Sequence, residues 1–250
     1  MILSKFFLEG VIKNKIRCWY WNNFRGNNFR IYFKQGLWEV HHEEGFIFKF
    51  FENPYGYLRD IRYYFRYSQL KKGDNVIDAG AYPGDFAMYA AKIVYPGKVI
   101  AFEPDPENYN EVMRNLKLNS IQNVIVIKKA LYNKNEIVSF SNTQGGDALI
   151  SIDGKIKVNA VKLDDELKEL KIKKIDFIKM DIEGAELDAI EGCSEVFNNN
   201  PNCKLAIASY HIVNNEITSI RLEKRLEEMG FVTVTLGPEH PTTFGFKFIK

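Results

Sequence analysis

Cysteine is scarce in this chain, and its placement excludes two kinds of small-protein architecture. The 250 residues contain three cysteines, Cys18, Cys193 and Cys203, an odd number with no C-x-x-C spacing. That pattern fits neither a disulfide framework nor a cysteine-based zinc site. Unpaired cysteines suit a reducing compartment, so the sequence predicts a cytoplasmic protein.

Long apolar runs are also missing. The chain has no stretch of about 18 uncharged apolar residues, the length that a membrane-spanning helix requires. Residues 1–10 lack the extended apolar core and the small-residue cleavage site of a signal peptide. We therefore expect the protein to remain inside the cell.

The net charge is small, at +2, but the charges are unevenly distributed. Residues 1–72 carry 13 Lys and Arg against 6 Asp and Glu, together with 20 of the 35 aromatic residues, whereas the remainder is net acidic. We interpret residues 1–70 as an aromatic-rich N-terminal α+β appendage, a possible substrate cap. Residues 71–250 then form the main domain, which is long enough for a large core.

The appendage begins with a predicted helix over residues 2–24 that has a basic face and an aromatic face. Such a helix either touches a membrane surface or a polyanion, or packs its aromatic side onto the sheet and leaves its lysines in water. Short strands are predicted at residues 29–33, 37–41 and 46–51, followed by a helix over residues 54–67. In this interpretation His41 and His42 lie in a solvated hairpin turn.

Residues 74–86 predict a buried strand that runs through a glycine turn into a helix starting near Asp85. Such a turn brings free backbone N–H groups and the positive end of a helix dipole to the carboxyl edge of a sheet, where α/β proteins bind ligands. A second predicted strand, residues 98–102, ends at Glu103. Glu103 lies 25 residues after Asp78, a spacing that suits an acid binding the two hydroxyls of a ribose, although it could also be an ordinary surface carboxylate.

From residue 71 onward, predicted strands and helices alternate, which is the signature of a parallel sheet. Turn signals at Gly145–Gly146 and Asp153–Gly154 indicate an excursion at the ligand edge. The last two strands are expected to pair as an antiparallel hairpin, whose turn at residues 237–243 leans over the pocket. The remaining predicted strands are residues 123–127, 137–140, 158–163, 175–180, 204–210, 232–236 and 244–249, and the helices are residues 106–118, 185–197 and 216–229.

Charge is concentrated where the strand at residues 175–180 ends. Asp181, Glu183 and Glu186 follow Lys179 within a few residues, on the same predicted edge as Gly80 and Glu103. Acids in the first turn of a helix also stabilise its dipole, so Glu183 and Glu186 have this simpler interpretation as well.

The order of these elements resembles the Rossmann-like, seven-stranded fold of class I S-adenosylmethionine methyltransferases. The segments at residues 76–86, 99–119, 158–167 and 176–192 are similar to the FkbM family in particular, and the string KMDIEGAE at residues 179–186 is the most specific of them. The resemblance covers roughly residues 70–235. It implies S-adenosylmethionine as methyl donor and a hydroxyl acceptor on a sugar, glycolipid or other small molecule. Tyr82 and Pro83 depart from the Asn and aliphatic residue usual in the family.

Within this resemblance the residues take the following roles. Gly80 and Gly84 let the backbone pass close to the methionine moiety. Asp78 receives the cofactor ammonium directly or through water, Glu103 holds the ribose, and Lys129–Ala130 present backbone to adenine. The complete predicted cofactor-binding set is Asp78, Gly80, Ala81, Tyr82, Gly84, Glu103, Pro104, Lys129, Ala130 and Asp181.

Methyl transfer to a hydroxyl requires alignment and the removal of one proton. His211 follows the fifth main strand, and an unperturbed pKa near 6.5 makes it the preferred general base over Asp181, with a structural histidine as the alternative. His240 is a lesser candidate. Asp181 and Glu183 could ligate Mg²⁺, but the spacing fixes no third ligand, so a divalent metal is possible and none is predicted.

Two alternatives remain open. The segment at residues 106–119 resembles tRNA guanine methyltransferases, and the basic N-terminal region could bind RNA, but acids after the fourth strand would repel phosphate. A non-catalytic cofactor-binding or membrane-associated scaffold is the second alternative. A dehydrogenase is disfavoured because the turn lacks G-x-G-x-x-G spacing. The acceptor, the oligomeric state and the role of residues 1–70 stay open at this point.

Overall fold

The fold is described by a computed structural model, which covers residues 2–24, 29–143, 147–150, 156–238 and 240–247. Strands β1, β2 and β3 of the N-terminal part form an antiparallel sheet, as predicted, and residues along β1 and β3 alternate between buried and exposed. The elements of this part are α1 (Ile2–Phe24), β1 (Phe29–Lys34), β2 (Leu37–His42), β3 (Ile47–Phe50) and α2 (Tyr55–Tyr64).

Helix α1 packs differently from the prediction of a covered aromatic side. Trp21 stacks on Tyr55 with ring centroids 4.0 Å apart, whereas Trp19, Tyr20 and Phe24 remain exposed. Among the described residues, no helix combines the length and apolar character needed to cross a membrane. Peripheral membrane contact stays a prediction.

The histidine pair was wrongly assigned to a solvated turn. His41 and His42 are the last residues of β2, and His42 is buried between the rings of Phe48 and Tyr89, with centroids 5.6 and 5.1 Å away. Neighbouring residues of a strand point to opposite faces of the sheet, which explains why one histidine is buried and the other is not.

After the appendage, the elements alternate largely as predicted. In chain order they are β4 (Val76–Ala79), α3 (Asp85–Val94), β5 (Val99–Phe102), α4 (Pro106–Leu118), β6 (Val124–Ile127), β7 (Ala130–Leu131), β8 (Glu136–Thr143), β9 (Asp147–Ile150), β10 (Ile156–Val161), α5 (Leu163–Glu169), β11 (Phe177–Met180), α6 (Glu186–Glu191), α7 (Ser194–Asn199), β12 (Lys204–Ala208), β13 (Ile212–Val213), β14 (Glu216–Ile217), α8 (Thr218–Glu228), β15 (Val232–Leu236) and β16 (Thr242–Phe246).

The central sheet has seven strands in the order β15-β16-β12-β11-β4-β5-β6. All neighbours are parallel except β16, which is antiparallel to both β15 and β12, so the predicted terminal hairpin is confirmed. Val76 and Ile77 belong to separate hydrophobic clusters, because successive side chains of a strand point to opposite faces. The core therefore lies on both sides of the sheet.

The appendage shares one of these two hydrophobic clusters with the sheet. Phe65, just after α2, stacks on Phe86 of α3 with ring centroids 5.2 Å apart and planes 6° from parallel. The domain boundary near residue 70 stays a prediction, but burial of shared apolar surface stabilises the appendage against the sheet.

Helix α4 begins and ends where its sequence predicts. The Asp105 side chain accepts hydrogen bonds from the N–H groups of Glu107 and Asn108, Pro106 occupies the first turn, and Asn119 caps the C-terminus. Val112 and Leu116 of this helix are buried, whereas Met113 is 44% exposed.

The segment after β11 differs most from the prediction. A single helix over residues 185–197 is replaced by α6 and α7, because the chain turns at Gly192 and the Asp164 carboxylate caps α7 by accepting the N–H groups of Glu195 and Val196. The start of the predicted helix at residues 216–229 instead forms the short hairpin β13-β14.

The predicted excursion is a four-stranded sheet with the order β7-β10-β8-β9. The turn signals at Gly145–Gly146 and Asp153–Gly154 lie outside the described residues. The last strand ends at Phe246, and the remainder of its predicted span, from residue 248, also lies outside them.

His42 gives the fold a defined pH dependence. Burial lowers the pKa of His42 from 6.5 to about 4, an effect that nearby Glu44 only partly opposes. At this residue the unfolded chain binds more protons below pH 6.5 than the folded one, so His42 lowers the free energy of unfolding as the pH falls from about 6.5 to about 4. We expect His42 to contribute a loss of about 3 kcal/mol, measurable by urea denaturation as the difference between the wild-type and His42→Phe proteins at the two ends of this range.

The neighbouring histidine provides the control for this measurement. His42→Phe should flatten the decline because a phenyl ring suits the aromatic cluster and does not titrate. His41→Phe, at the half-buried neighbour, should leave the decline in place. The interpretation would be contradicted by an unchanged decline in the His42→Phe protein.

Candidate active site

Two glycines shape the turn between β4 and α3. Gly80 and Gly84 adopt left-handed backbone conformations, with φ of 78° and 96°. Glycine tolerates this region, whereas other residues are strained there. A Cβ atom at Gly80 would overlap the main-chain oxygen of Asp181. The turn therefore lies directly against the end of β11.

The N–H groups of this turn are less available than the sequence predicted. Those of Gly80 and Ala81 donate to the carbonyl oxygen of Phe102 at 3.0 and 3.1 Å, and that of Gly84 donates to Ala81. The Tyr82 N–H donates to Glu103. These bonds hold the turn against the end of β5. The prediction of free N–H groups in the turn is therefore wrong for these four residues.

Glu103 lies at the carboxyl end of β5, where the sequence places it. Its Oε2 accepts the Tyr82 N–H and its Oε1 accepts the Asp105 N–H, both at 3.1 Å. Each carboxylate oxygen retains capacity to accept a further hydrogen bond, as two ribose hydroxyls would require. Burial raises the pKa of Glu103 to about 7, and the two N–H donors only partly offset this effect.

Lys179 lies beneath the glycine turn and is buried. Its Nζ is 2.9 Å from Asp78 Oδ1 and donates to the main-chain oxygens of Ala79 and Gly80 at 3.3 and 2.6 Å. Burial lowers the pKa of Lys179, but Asp78 and Asp181 outweigh that effect and raise it. Lys179 therefore engages one oxygen of the Asp78 carboxylate, and the side chain is buried. Contact of Asp78 with a cofactor ammonium, directly or through water, stays a prediction.

The residues predicted to contact adenine lie at the four-stranded sheet β7-β10-β8-β9. Lys129 Nζ is 2.7 Å from Glu166 Oε2, and Ala130 begins β7, which pairs with β10. Pro104 is half-buried after Glu103. Their contact with adenine stays a prediction.

Asp181 is a meeting point for side chains from distant parts of the chain. Its Oδ2 accepts a hydrogen bond from the Tyr64 hydroxyl at 2.8 Å, and its Oδ1 accepts one from the Tyr210 hydroxyl at 3.2 Å. Tyr64 belongs to α2, so the appendage reaches the active-site edge directly. With 22% of its side chain exposed, Asp181 remains open to solvent.

His211 faces three carboxylates. Its Nε2 is 3.3 Å from Glu183 Oε2 and 3.6 Å from Asp181 Oδ1, and its Nδ1 is 3.1 Å from Glu186 Oε1. Burial lowers the pKa of His211, but Glu183 and Glu186 outweigh it and raise the pKa to about 10. The pKa near 6.5 on which the choice of general base depended is therefore wrong, because the neighbouring carboxylates favour the protonated ring. The role of His211 as base stays a prediction without that support.

Glu186 fixes the turn that carries Asp181 and Glu183. Its Oε1 accepts the N–H groups of Ile182 and Gly184 at 3.0 and 3.3 Å, and the side chain is fully buried. Glu183 precedes α6 and has a φ of 56°, so it lies outside the helical turn in which the dipole interpretation placed it.

The terminal turn does lean over this edge, as predicted. His240 is buried, with its ring centroid 4.4 Å from that of Tyr210 and 5.9 Å from that of Tyr64. Glu239 of the same turn lies outside the described residues.

Sequence reasoning missed the two tyrosines that bind Asp181. Tyr64 falls within the predicted helix at residues 54–67, and Tyr210 falls at the end of the predicted strand at residues 204–210. Only Tyr210 carried a usable signal, since it precedes His211 at the carboxyl edge of β12.

Comparison with known proteins now adds to this geometry. The family model described as the methyltransferase FkbM domain matches residues 78–237, which is more than half of the chain. The chain belongs to the FkbM methyltransferase family. Its matched region contains the glycine turn, Glu103, Lys179, Asp181 and His211, whereas Tyr64 lies outside it.

Curated relatives match about half of the chain. Methyltransferase sdnD of Sordaria araneosa is 30% identical over 164 residues, which make up 51% of this chain and 63% of that protein. The 2-O-methyltransferase NoeI of Sinorhizobium fredii is 29% identical over 150 residues, or 51% of this chain and 61% of that protein. The match spans less than two thirds of the length of each relative.

Solved structures establish the fold. Fibrillarin from Aeropyrum pernix, in complex with S-adenosyl-L-methionine, superposes with a TM-score of 0.52 at 12% identity, covering 86% of this chain and 97% of that one. An S-adenosylmethionine-dependent O-methyltransferase from Thermotoga maritima gives 0.51 at 13% identity, covering 90% and 87%. The FkbM methyltransferase domain therefore has the class I methyltransferase fold.

Glu103 provides a direct test of the predicted cofactor site. Glu103→Ala removes a carboxylate placed to accept two ribose hydrogen bonds, so the affinity for S-adenosylhomocysteine should fall at least about tenfold. Because burial raises the pKa of Glu103 to about 7, the carboxylate form is lost as the pH falls through 7. Wild-type affinity should therefore also decline from about pH 8 to about pH 6. Isothermal titration calorimetry measures both effects.

An exposed glutamate on α4 serves as the matched control. Glu107→Ala removes one negative charge four residues away and should leave the affinity within about twofold of wild type. Wild-type affinity in the Glu103→Ala protein would remove Glu103 from the cofactor site.

Proposed function

We propose that this protein transfers a methyl group from S-adenosylmethionine to a hydroxyl oxygen of a sugar, glycolipid or other hydroxyl-rich small molecule. One observation carries the proposal: the open Asp181 carboxylate lies at the end of β11, directly against the Gly80 turn, and already accepts two hydroxyl hydrogen bonds. A substrate hydroxyl needs an acceptor of this kind beside the cofactor.

The residues around the glycine turn suit the cofactor. Glu103 would hold the ribose, and the close main-chain approach at Gly80 and Gly84 leaves the turn free of side chains that would block the methionine end. When bound, S-adenosylmethionine supplies an electrophilic methyl group. Lys179 keeps the turn in place from below by its three contacts.

Asp181 would hold the acceptor hydroxyl and is placed to take its proton. Tyr64 and Tyr210 fix the carboxylate from two sides, so it keeps one orientation while the substrate binds. Fixed orientation matters because methyl transfer requires the oxygen, carbon and sulfur atoms to lie in line. We assign Tyr64 and Tyr210 as positioning residues for Asp181.

The two carboxylates at this edge favour a substrate rich in hydroxyl groups over a polyanion. Carboxylates of Asp181 and Glu183 accept hydrogen bonds from hydroxyl groups and repel phosphates, which counts against the RNA alternative. The half-buried ring of Tyr210 lies beside Asp181, packed against the buried His240 ring. The name of NoeI, a 2-O-methyltransferase, also supports oxygen as the acceptor atom.

Methyl labelling of cell extract tests the acceptor class. The protein is incubated with S-adenosylmethionine labelled in its methyl group and with extract divided into nuclease-treated and untreated portions. We expect label in a glycan or small-molecule fraction, resistant both to nuclease and to alkali, because methyl ethers survive alkali whereas methyl esters do not. Label that disappears with nuclease would refute the proposal in favour of RNA.

The Tyr64→Phe substitution tests the contribution of the appendage. Loss of its hydrogen bond to Asp181 frees the carboxylate, so kcat should fall by roughly tenfold, the equivalent of about 1.4 kcal/mol. S-adenosylhomocysteine affinity should stay within about twofold, since Tyr64 is assigned to the acceptor side. Tyr67→Phe, at an exposed tyrosine just beyond α2, is the control and should retain full activity. Equal kcat in the two variants would exclude a positioning role for Tyr64.

A further inference from the structure

The turn after β11 and the residue after β12 bring together three side chains with metal-ligating atoms. Asp181, Glu183 and His211 each place one such atom within 4.8 Å of the others. The sequence offered only the first two, because His211 is distant in the chain and reaches them through the parallel pairing of β11 with β12. The third ligand that sequence spacing could not fix is therefore present.

The separations in this cluster suit a shared ion. His211 Nε2 is 3.3 Å from Glu183 Oε2 and 3.6 Å from Asp181 Oδ1. Divalent cations bind nitrogen and oxygen ligands at about 2.0–2.2 Å, so two ligands of one ion lie roughly 3.0–3.5 Å apart. Small side-chain movements would bring all three atoms to a common centre.

The second ring nitrogen of His211 has the neighbour that a metal-binding histidine usually has. Nδ1 lies 3.1 Å from Glu186 Oε1, and that carboxylate is fixed by the main-chain N–H groups of Ile182 and Gly184. A carboxylate beside one nitrogen sets the tautomer and turns the other nitrogen toward the ion. In this cluster the other nitrogen, Nε2, points at Asp181 and Glu183.

An independent observation comes from the hydrogen bonding of His211. Its side chain is only 7% exposed, and its two ring nitrogens lie 3.1–3.6 Å from carboxylate oxygens without the alignment of a hydrogen bond. Glu186 Oε2, also buried, likewise has no aligned hydrogen bond within the described part of the chain. Buried polar atoms normally have partners, and such exceptions require an explanation. A cation bound to Nε2 would explain why this nitrogen lies among carboxylates without an aligned hydrogen bond.

We propose that Asp181, Glu183 and His211 bind one divalent cation and that Glu186 orients His211 for this purpose. Two carboxylates balance the charge of such an ion, and the mixture of carboxylate oxygen and imidazole nitrogen suits Mn²⁺ or a similar first-row metal better than Ca²⁺. The Asp181 and Glu183 side chains are 22% and 24% exposed, so the ion is reached from the pocket side.

This site is proposed independently of the acceptor and of methyl transfer itself. Mn²⁺ is therefore the probe, and binding is the readout. The full chain is stripped with EDTA, dialysed and titrated with MnCl₂, while free Mn²⁺ is followed by electron paramagnetic resonance. We expect one saturable site per chain and, in pulsed spectra of the bound ion, coupling to a histidine nitrogen.

Variants of the cluster make the test specific. Asp181→Asn, Glu183→Gln and His211→Gln should each weaken Mn²⁺ binding by at least about tenfold, and Glu186→Gln by about tenfold through loss of orientation. His211→Gln should also abolish the nitrogen coupling. Glu43→Gln, at an exposed acid between β2 and β3, is the matched control and should bind like wild type.

Two results would overturn the proposal. One is the absence of saturable Mn²⁺ binding below about 1 mM in the wild-type chain. The other is binding that all four cluster variants retain at full strength. Circular dichroism and S-adenosylhomocysteine titration of each variant verify that the fold is intact. Methyl transfer by a wild-type chain that does not bind Mn²⁺ would reject the metal site and leave the proposed function standing.

Discussion

A single ammonium group buried beneath the glycine turn holds the active-site edge together. Lys179 binds the Asp78 carboxylate and the carbonyl oxygens of Ala79 and Gly80, so it joins β11 to the end of β4 through its side chain. A buried charge is tolerated only with partners of this kind, and removing one of them typically costs about 3–5 kcal/mol. Because Gly80 in turn touches the main chain of Asp181, the position of the substrate-side carboxylate depends on this buried pair.

Two carboxylates at this edge have environments suited to different tasks. Glu103 is buried at the end of β5 and held by two N–H groups of the main chain, which fits a residue that accepts hydrogen bonds from a cofactor in one fixed geometry. Asp181 is partly open at the end of β11 and held by side-chain hydroxyls, which fits a residue that meets a variable acceptor. The parallel strands bring both to one edge, with the glycine turn between them.

The appendage takes part in the site as well as in the core. Its aromatic residues share a hydrophobic cluster with the sheet, and Tyr64 extends from that packed region to Asp181. Tyr210 and His240 approach from β12 and the terminal hairpin, and the His240 ring contacts both Tyr210 and Tyr64. Tyr64, outside the FkbM match, and Tyr210, inside it, therefore contact the same carboxylate. This contact offers a physical route by which the N-terminal region could influence the choice of acceptor.

The sequence by itself determined the sheet, its terminal hairpin, the glycine turn and the placement of Glu103, because these follow from local hydrophobic periodicity, glycine positions and the rule that parallel strands end at one edge. It also determined the family through the string at residues 179–186. Only the tertiary structure decided that Tyr64 reaches Asp181, that Lys179 engages Asp78, and that His211 lies among three carboxylates that raise its pKa. Those facts depend on contacts between residues up to 117 positions apart, and on burial, which shifts a pKa in ways that no local pattern records.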